Sequence, residues 1–90
     1  GGTMQITTTS GFTCEIDPDV LNNALLMDAL ADLKSGNRLE YSTVSLLILG
    51  KDIRAKLYDH LTNEAGRVPL EDVDRELTEI LQALGTPAKN

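Results

Sequence analysis

Apolar and polar residues alternate at the start of the chain, with Met4, Ile6, Phe12, Cys14 and Ile16 in one phase. A period of two, rich in threonine, predicts strands, and Ser10-Gly11 marks the turn between them. The register can be argued. A loop of Ser10-Gly11 alone would pair Thr7 with Cys14 and set Ile6 opposite Glu15, splitting the apolar residues between two faces. The loop Thr9-Ser10-Gly11 pairs Thr8 with Phe12, Ile6 with Cys14 and Met4 with Ile16. One face is then wholly apolar, and register follows the buried face. Gly11 supplies the left-handed residue that such a loop wants at its end. A lone hairpin is marginal in water, so this face is expected to lie on helices.

The pattern then changes to helical spacing. Asp17-Pro18 is a start signal, with Asp17 as N-cap and Pro18 at the first helical position. The helix predicted from there runs to about Lys34, before Gly36. Leu26, Ala29, Leu30 and Leu33 form its inner stripe, Leu21 and Leu25 widen it, and Asn22, Asn23, Asp28 and Asp32 face away. A second helix is predicted over 38–49, stopped by Gly50, and a third over 52–63 with Ile53, Leu57, His60 and Leu61 inward. Residues 64–67 read as a turn. The last helix, from about 69 to 84, has the cleanest stripe: Leu70, Val73, Leu77, Ile80, Leu81 and Leu84. Together these elements predict an α+β fold, an N-terminal β-hairpin packed on about four α-helices, as one domain over 4–85. Residues 1–3 read as a remnant of expression and 86–90 as a flexible tail.

The stretch Val44-Ser45-Leu46-Leu47-Ile48-Leu49 stands out because it is apolar on every side except at Ser45. A helix apolar all round belongs in an interior or in an interface that becomes one. The run is far shorter than the ~20 residues a membrane span needs. Leu46, Leu47, Ile48 and Leu49 exceed what one helix face buries against so small a core. They are therefore the expected partner-binding residues, with Leu26 and Leu30 extending the patch. The plainer alternative is that all six are core.

Charge narrows the function classes. The chain has 90 residues, eight basic and fourteen acidic side chains, a net charge of −6 and 3% aromatic residues. Nucleic-acid binding depends on Lys and Arg neutralising phosphates, so no nucleic-acid partner is expected, and an anionic membrane would repel the chain. The single cysteine, Cys14, cannot form an internal disulfide and fits a reducing compartment. No stretch reads as a signal peptide or a membrane span.

Candidate chemistry is sparse. His60 is the sole histidine, and Tyr58 and Asp59 beside it point in other directions on a helix. It reads as a packed or surface side chain, and Cys14 as a small strand hydrophobe. Asp17-Pro18-Asp19 lacks the ligand spacing and glycine of a calcium loop. Glu71, Asp72, Asp74, Glu76 and Glu79 read as the solvated face of the last helix, or else as a docking surface for a basic partner. Carrier proteins attach phosphopantetheine to Ser in an Asp-Ser-Leu motif, but Val44-Ser45-Leu46 lacks the Asp and lies in an apolar run. No catalytic residue, metal site or cofactor is expected.

Several segments in order resemble a family of tail assembly chaperones encoded by long-tailed phages and prophages of Gram-positive bacteria. They are Met4-Gln5-Ile6-Thr7-Thr8-Thr9-Ser10-Gly11-Phe12, Leu46-Leu47-Ile48-Leu49-Gly50, Leu57-Tyr58-Asp59-His60-Leu61, Asn63-Glu64-Ala65-Gly66-Arg67-Val68-Pro69 and Leu77-Thr78-Glu79-Ile80-Leu81-Gln82-Ala83-Leu84. The resemblance implies a non-catalytic protein of the host cytoplasm. Such proteins bind the tape measure protein and keep it soluble while tail-tube subunits polymerise, and they often self-associate. The tail-tube protein is a further implied partner. Many are made in two forms by a backward ribosomal slip. If Ala88-Lys89-Asn90 is encoded GCA-AAA-AAC, it contains the slippery heptamer A-AAA-AAC, and this chain is then the short form. The competing reading is a small acidic adaptor or regulatory protein with another helical partner.

Overall fold

A computed structural model describes residues 2–85. The tail expected at 86–90, and with it the slip site proposed at Ala88-Lys89-Asn90, lies outside the described residues. The fold is α+β: a two-stranded antiparallel hairpin followed by helices.

Strands β1 (Met4–Thr7) and β2 (Thr13–Ile16) pair Met4 with Ile16 and Ile6 with Cys14, the register set by the apolar phase. The ladder closes at Thr8, whose N–H donates to Phe12 O at 2.9 Å, and Gly11 takes φ 90° to end the loop. Ile6, Thr8, Phe12, Cys14 and Ile16 are buried, while Gln5, Thr7, Thr13 and Glu15 face outward. β1 packs on the last helix and β2 on the middle one.

The first predicted helix breaks in two. Asp17 caps a 3-10 turn over Pro18–Leu21, accepting from Asp19 N–H, and helix α1 (Ala24–Lys34) starts afresh at Asn23. The reason is local: Asn23 Oδ1 accepts from Leu25 N–H at 3.0 Å, and Asn22 takes a non-helical ψ of 64°. Short amide side chains compete for backbone N–H groups and so favour caps over helix interiors.

The second and third predicted helices are the two arms of one bent element, α2 (Glu40–Leu61). Helical hydrogen bonding resumes beyond Gly50, but Gly50 itself has φ 75° and ψ 171°. The chain turns there and folds back. Arg54 Nη1 donates to Ser42 O at 3.1 Å, and Ser45 Oγ lies 3.4 Å from Tyr58 Oη. Residues twelve apart on a straight helix would be about 18 Å apart, so these contacts exist only because of the bend. After a turn held by Asn63, whose Oδ1 accepts from Ala65 and Arg67 N–H, helix α3 (Leu70–Gly85) completes the fold.

The core runs from Ile6, Phe12 and Ile16 of the hairpin through Leu26, Val44, Ile48 and Leu57 to Val73, Leu77, Ile80 and Leu84 of α3. Among the described residues, no helix is long and apolar enough to cross a membrane.

Candidate functional site

An open groove of about 280 Å³ straddles the bend of α2. One wall comes from the end of β2 and the 3-10 turn: Glu15, Ile16, Asp17 and Val20. The other comes from both arms of α2: Leu46 to Gly50 and Ile53. The apolar stretch 46–49 therefore does meet a cavity, but its residues differ in role. Successive helical residues are about 100° apart, so Val44, Ser45, Ile48 and Leu49 share the inward face. Ile48 and Leu49 are buried, Leu47 is half-buried, and Leu46 is 43% exposed.

This corrects the expected patch. Leu26, Ile48 and Leu49 are core side chains, because they occupy positions facing neighbouring elements. Leu30 is half-buried against the same core. Leu46 and Leu47 alone remain accessible at the groove, with Val20 and Ile53, which sequence reasoning did not place there. Leu25, expected to widen the inner stripe of α1, is 65% exposed instead, since no neighbouring element covers the start of the helix there. Met27 and Leu39 are also exposed, at 46% and 84%.

Among the described residues no cation pairs with the carboxylates at the groove. Among the described residues the ion pairs are those of Arg75 with Asp72 and Glu76. Glu15 Oε1 accepts from Thr3 Oγ1 at 3.2 Å, and Asp17 Oδ1 accepts from Asp19 N–H at 2.9 Å.

A second polar cluster fastens the tip of the hairpin. Thr8 Oγ1 donates to Glu76 Oε1 at 2.6 Å, and Thr9 donates through its N–H and its hydroxyl to the two oxygens of Glu79, each at 2.7 Å. Glu76 is thus not part of a solvated face, whereas Glu79 stays at the surface with its carboxylate engaged by Thr9. Glu76 is 0% exposed, with Arg75 donating to its other oxygen at 3.2 Å. The N–H of Thr9, then its hydroxyl, hold the Glu79 carboxyl below the usual range. Burial pushes the Cys14 thiol up, and the negative charge of Glu76 adds to that.

Ser10 Oγ lies 3.1 Å from His60 Nε2, a distance compatible with a nucleophile and its base. The same nitrogen faces the Ser10 carbonyl oxygen at 3.2 Å. A ring that donates its Nε2 proton there has no lone pair for the hydroxyl. With Phe12 against the ring at 5.5 Å between centroids, His60 acts as a strut for the loop. Ser45 is fully buried and its hydroxyl donates to Ser42 O, which leaves no room for a carrier-type modification. Among the described residues no cluster of three or more metal-ligating side chains forms.

No protein-family model, curated protein or solved structure matches this chain.

Proposed function

We propose that this chain is a tail assembly chaperone of the kind made by long-tailed phages and prophages of Gram-positive bacteria. It binds the tape measure protein in the host cytoplasm through reversible apolar contacts, keeps it soluble while tail-tube subunits assemble, and associates with copies of itself. It does no covalent chemistry. One structural observation supports this reading beyond the resemblance of the segments: an accessible apolar groove, with Leu46 at its edge, on a domain of net charge −6. A holdase needs both properties, apolar surface to offer a client and charge to stay dispersed.

The test is co-expression with the tape measure protein of the same tail module. The soluble fraction of that protein is expected to rise severalfold with the wild-type chain, and less with Leu46→Asp. A soluble fraction indifferent to the wild-type chain would end the proposal.

A further inference from the structure

We propose that the groove at the bend of α2 seats an amphipathic helix from another protein, presenting two leucine-like side chains one turn apart and lysine or arginine along the flank. This deepens the chaperone reading and rests on it for the existence of a foreign client.

The size of the groove sets the apolar part of the ligand. A volume of 280 Å³ is the room of roughly nine waters at ~30 Å³ each. That is too small for a helix to lie inside and suits two leucine side chains of four carbons each. Side chains at i and i+4 on a helix lie about 5–6 Å apart and project together, so one helical face delivers such a pair.

The carboxylates set its charge. Glu15 is exposed and Asp17 half-buried on the wall formed by β2 and the 3-10 turn, Asp19 is exposed close by in sequence, and none of the three has a cation beside it among the described residues. Lys51 and Arg54 are the nearest cations along α2. Neither lines the groove, and Arg54 is engaged with Ser42 and the face of Tyr58. A second copy of this chain would bring net charge −6 to the same carboxylates. A basic flank is complementary where a second copy is not.

The site is also preformed. Ile16 is held in the hairpin ladder opposite Met4, and the two arms of α2 are tied by Arg54 to Ser42 and by Tyr58 to Ser45. Little ordering is left for binding to supply, which favours affinity.

The probe is a fluorescein-labelled helical peptide of leucine and lysine, with a leucine–glutamate peptide of the same pattern as comparison, read by anisotropy at about 0.15 M salt. The lysine peptide is expected to bind at least tenfold more tightly than the glutamate peptide. Leu46→Gln should weaken it about tenfold and Glu15→Lys severalfold. Asp28→Lys, an equal change of charge on exposed α1 outside the groove, should alter it less than twofold. Leu46 and Glu15 are surface positions, and circular dichroism of each variant, with Leu46→Ala as a milder change, verifies folding. Equal losses from Asp28→Lys and Glu15→Lys would mean diffuse attraction to an acidic surface and overturn the site. So would no binding of the lysine peptide, or self-association abolished by Leu46→Gln without peptide binding. Peptide binding that obeys these rules while the tape measure protein stays insoluble would sink the chaperone role and leave the groove standing.

Discussion

Replacing Gly50 with alanine distinguishes two structures by sign. In an unbroken helix, alanine in place of glycine gains about 1 kcal/mol. Gly50, however, sits at φ 75° and ψ 171°, where residues with a Cβ are strained whatever the space around them. A Cβ built there meets nothing within 4 Å, so no collision adds to the backbone term. The expected loss is that of a residue forced into this glycine-only region, about 1–3 kcal/mol. Alanine also restricts the unfolded chain, which offsets this by about 0.4–1 kcal/mol. A net loss of roughly 0–2.6 kcal/mol follows, centred on about 1.3 kcal/mol.

At about 4–8 °C per kcal/mol for a domain of this size, Tm falls by up to roughly 20 °C, against a rise of about 4–8 °C if residue 50 were helical. Thermal melts followed by circular dichroism, with urea titration to check that the slope is unchanged, measure it directly. A Tm that rises by several degrees would mean that α2 runs straight through residue 50. The fold-back contacts of Arg54 and Tyr58 would then be absent, and the groove with them.

Two further outcomes follow from the clamp on the hairpin tip, and a third from the burial of Cys14 in β2. Thr8→Val keeps the shape but leaves the buried Glu76 carboxylate without its 2.6 Å donor; urea unfolding should show a loss of about 1–3 kcal/mol, and a neutral result would mean Glu76 is hydrated. Because Thr9 holds the Glu79 carboxyl low, its contribution to stability is complete above the ordinary carboxylate pKa of about 4.3 and disappears as pH falls through the lower folded value. Glu79→Gln should therefore narrow the difference in stability between pH 7 and pH 3, and an identical acid limb in melts of the two proteins would refute the assignment. Cys14, buried and with its thiol pushed up, should react with a thiol reagent at pH 8 about a hundredfold more slowly in the native protein than in urea; as pH rises past the ordinary thiol value of about 8.5 the unfolded chain ionises first, so stability should decline there.

Legibility in the sequence followed how local the cause was. The hairpin register was readable because its two candidate loops differed in whether one face stayed apolar. Helix α3 was readable from a stripe uninterrupted by glycine or proline. The break at Asn22-Asn23 was not, since two polar residues on an outward face look the same whether they cap a helix or decorate it. Glu76 was misplaced through its charge, although a usable signal existed. It falls three residues after Val73 and four before Ile80, on the same face, and that face is buried. Exposure of Leu25 and Leu39 could not be read, because it depends on which neighbours arrive. The groove was the least legible feature, since Ile16, Val20, Leu46 and Ile53 come from three elements and meet only through the bend.

The bend and the groove have one physical origin. A straight helix packs a single continuous stripe, and its flank leaves no wedge for a neighbour's side chain. Gly50 lets the two arms turn toward each other, and the core closes around Val44, Ile48, Leu49 and Leu57, on both sides of the turn. Leu46, Leu47 and Ile53 are left beside the crossing segment 16–20, incompletely covered. Covering them with more of its own chain would take another element, and none of the described residues supplies it. The exposed apolar surface is therefore a consequence of how the core is built, not an ornament on it. Variants that relax the bend should lose stability and groove binding together, whereas Leu46→Gln should lose binding alone.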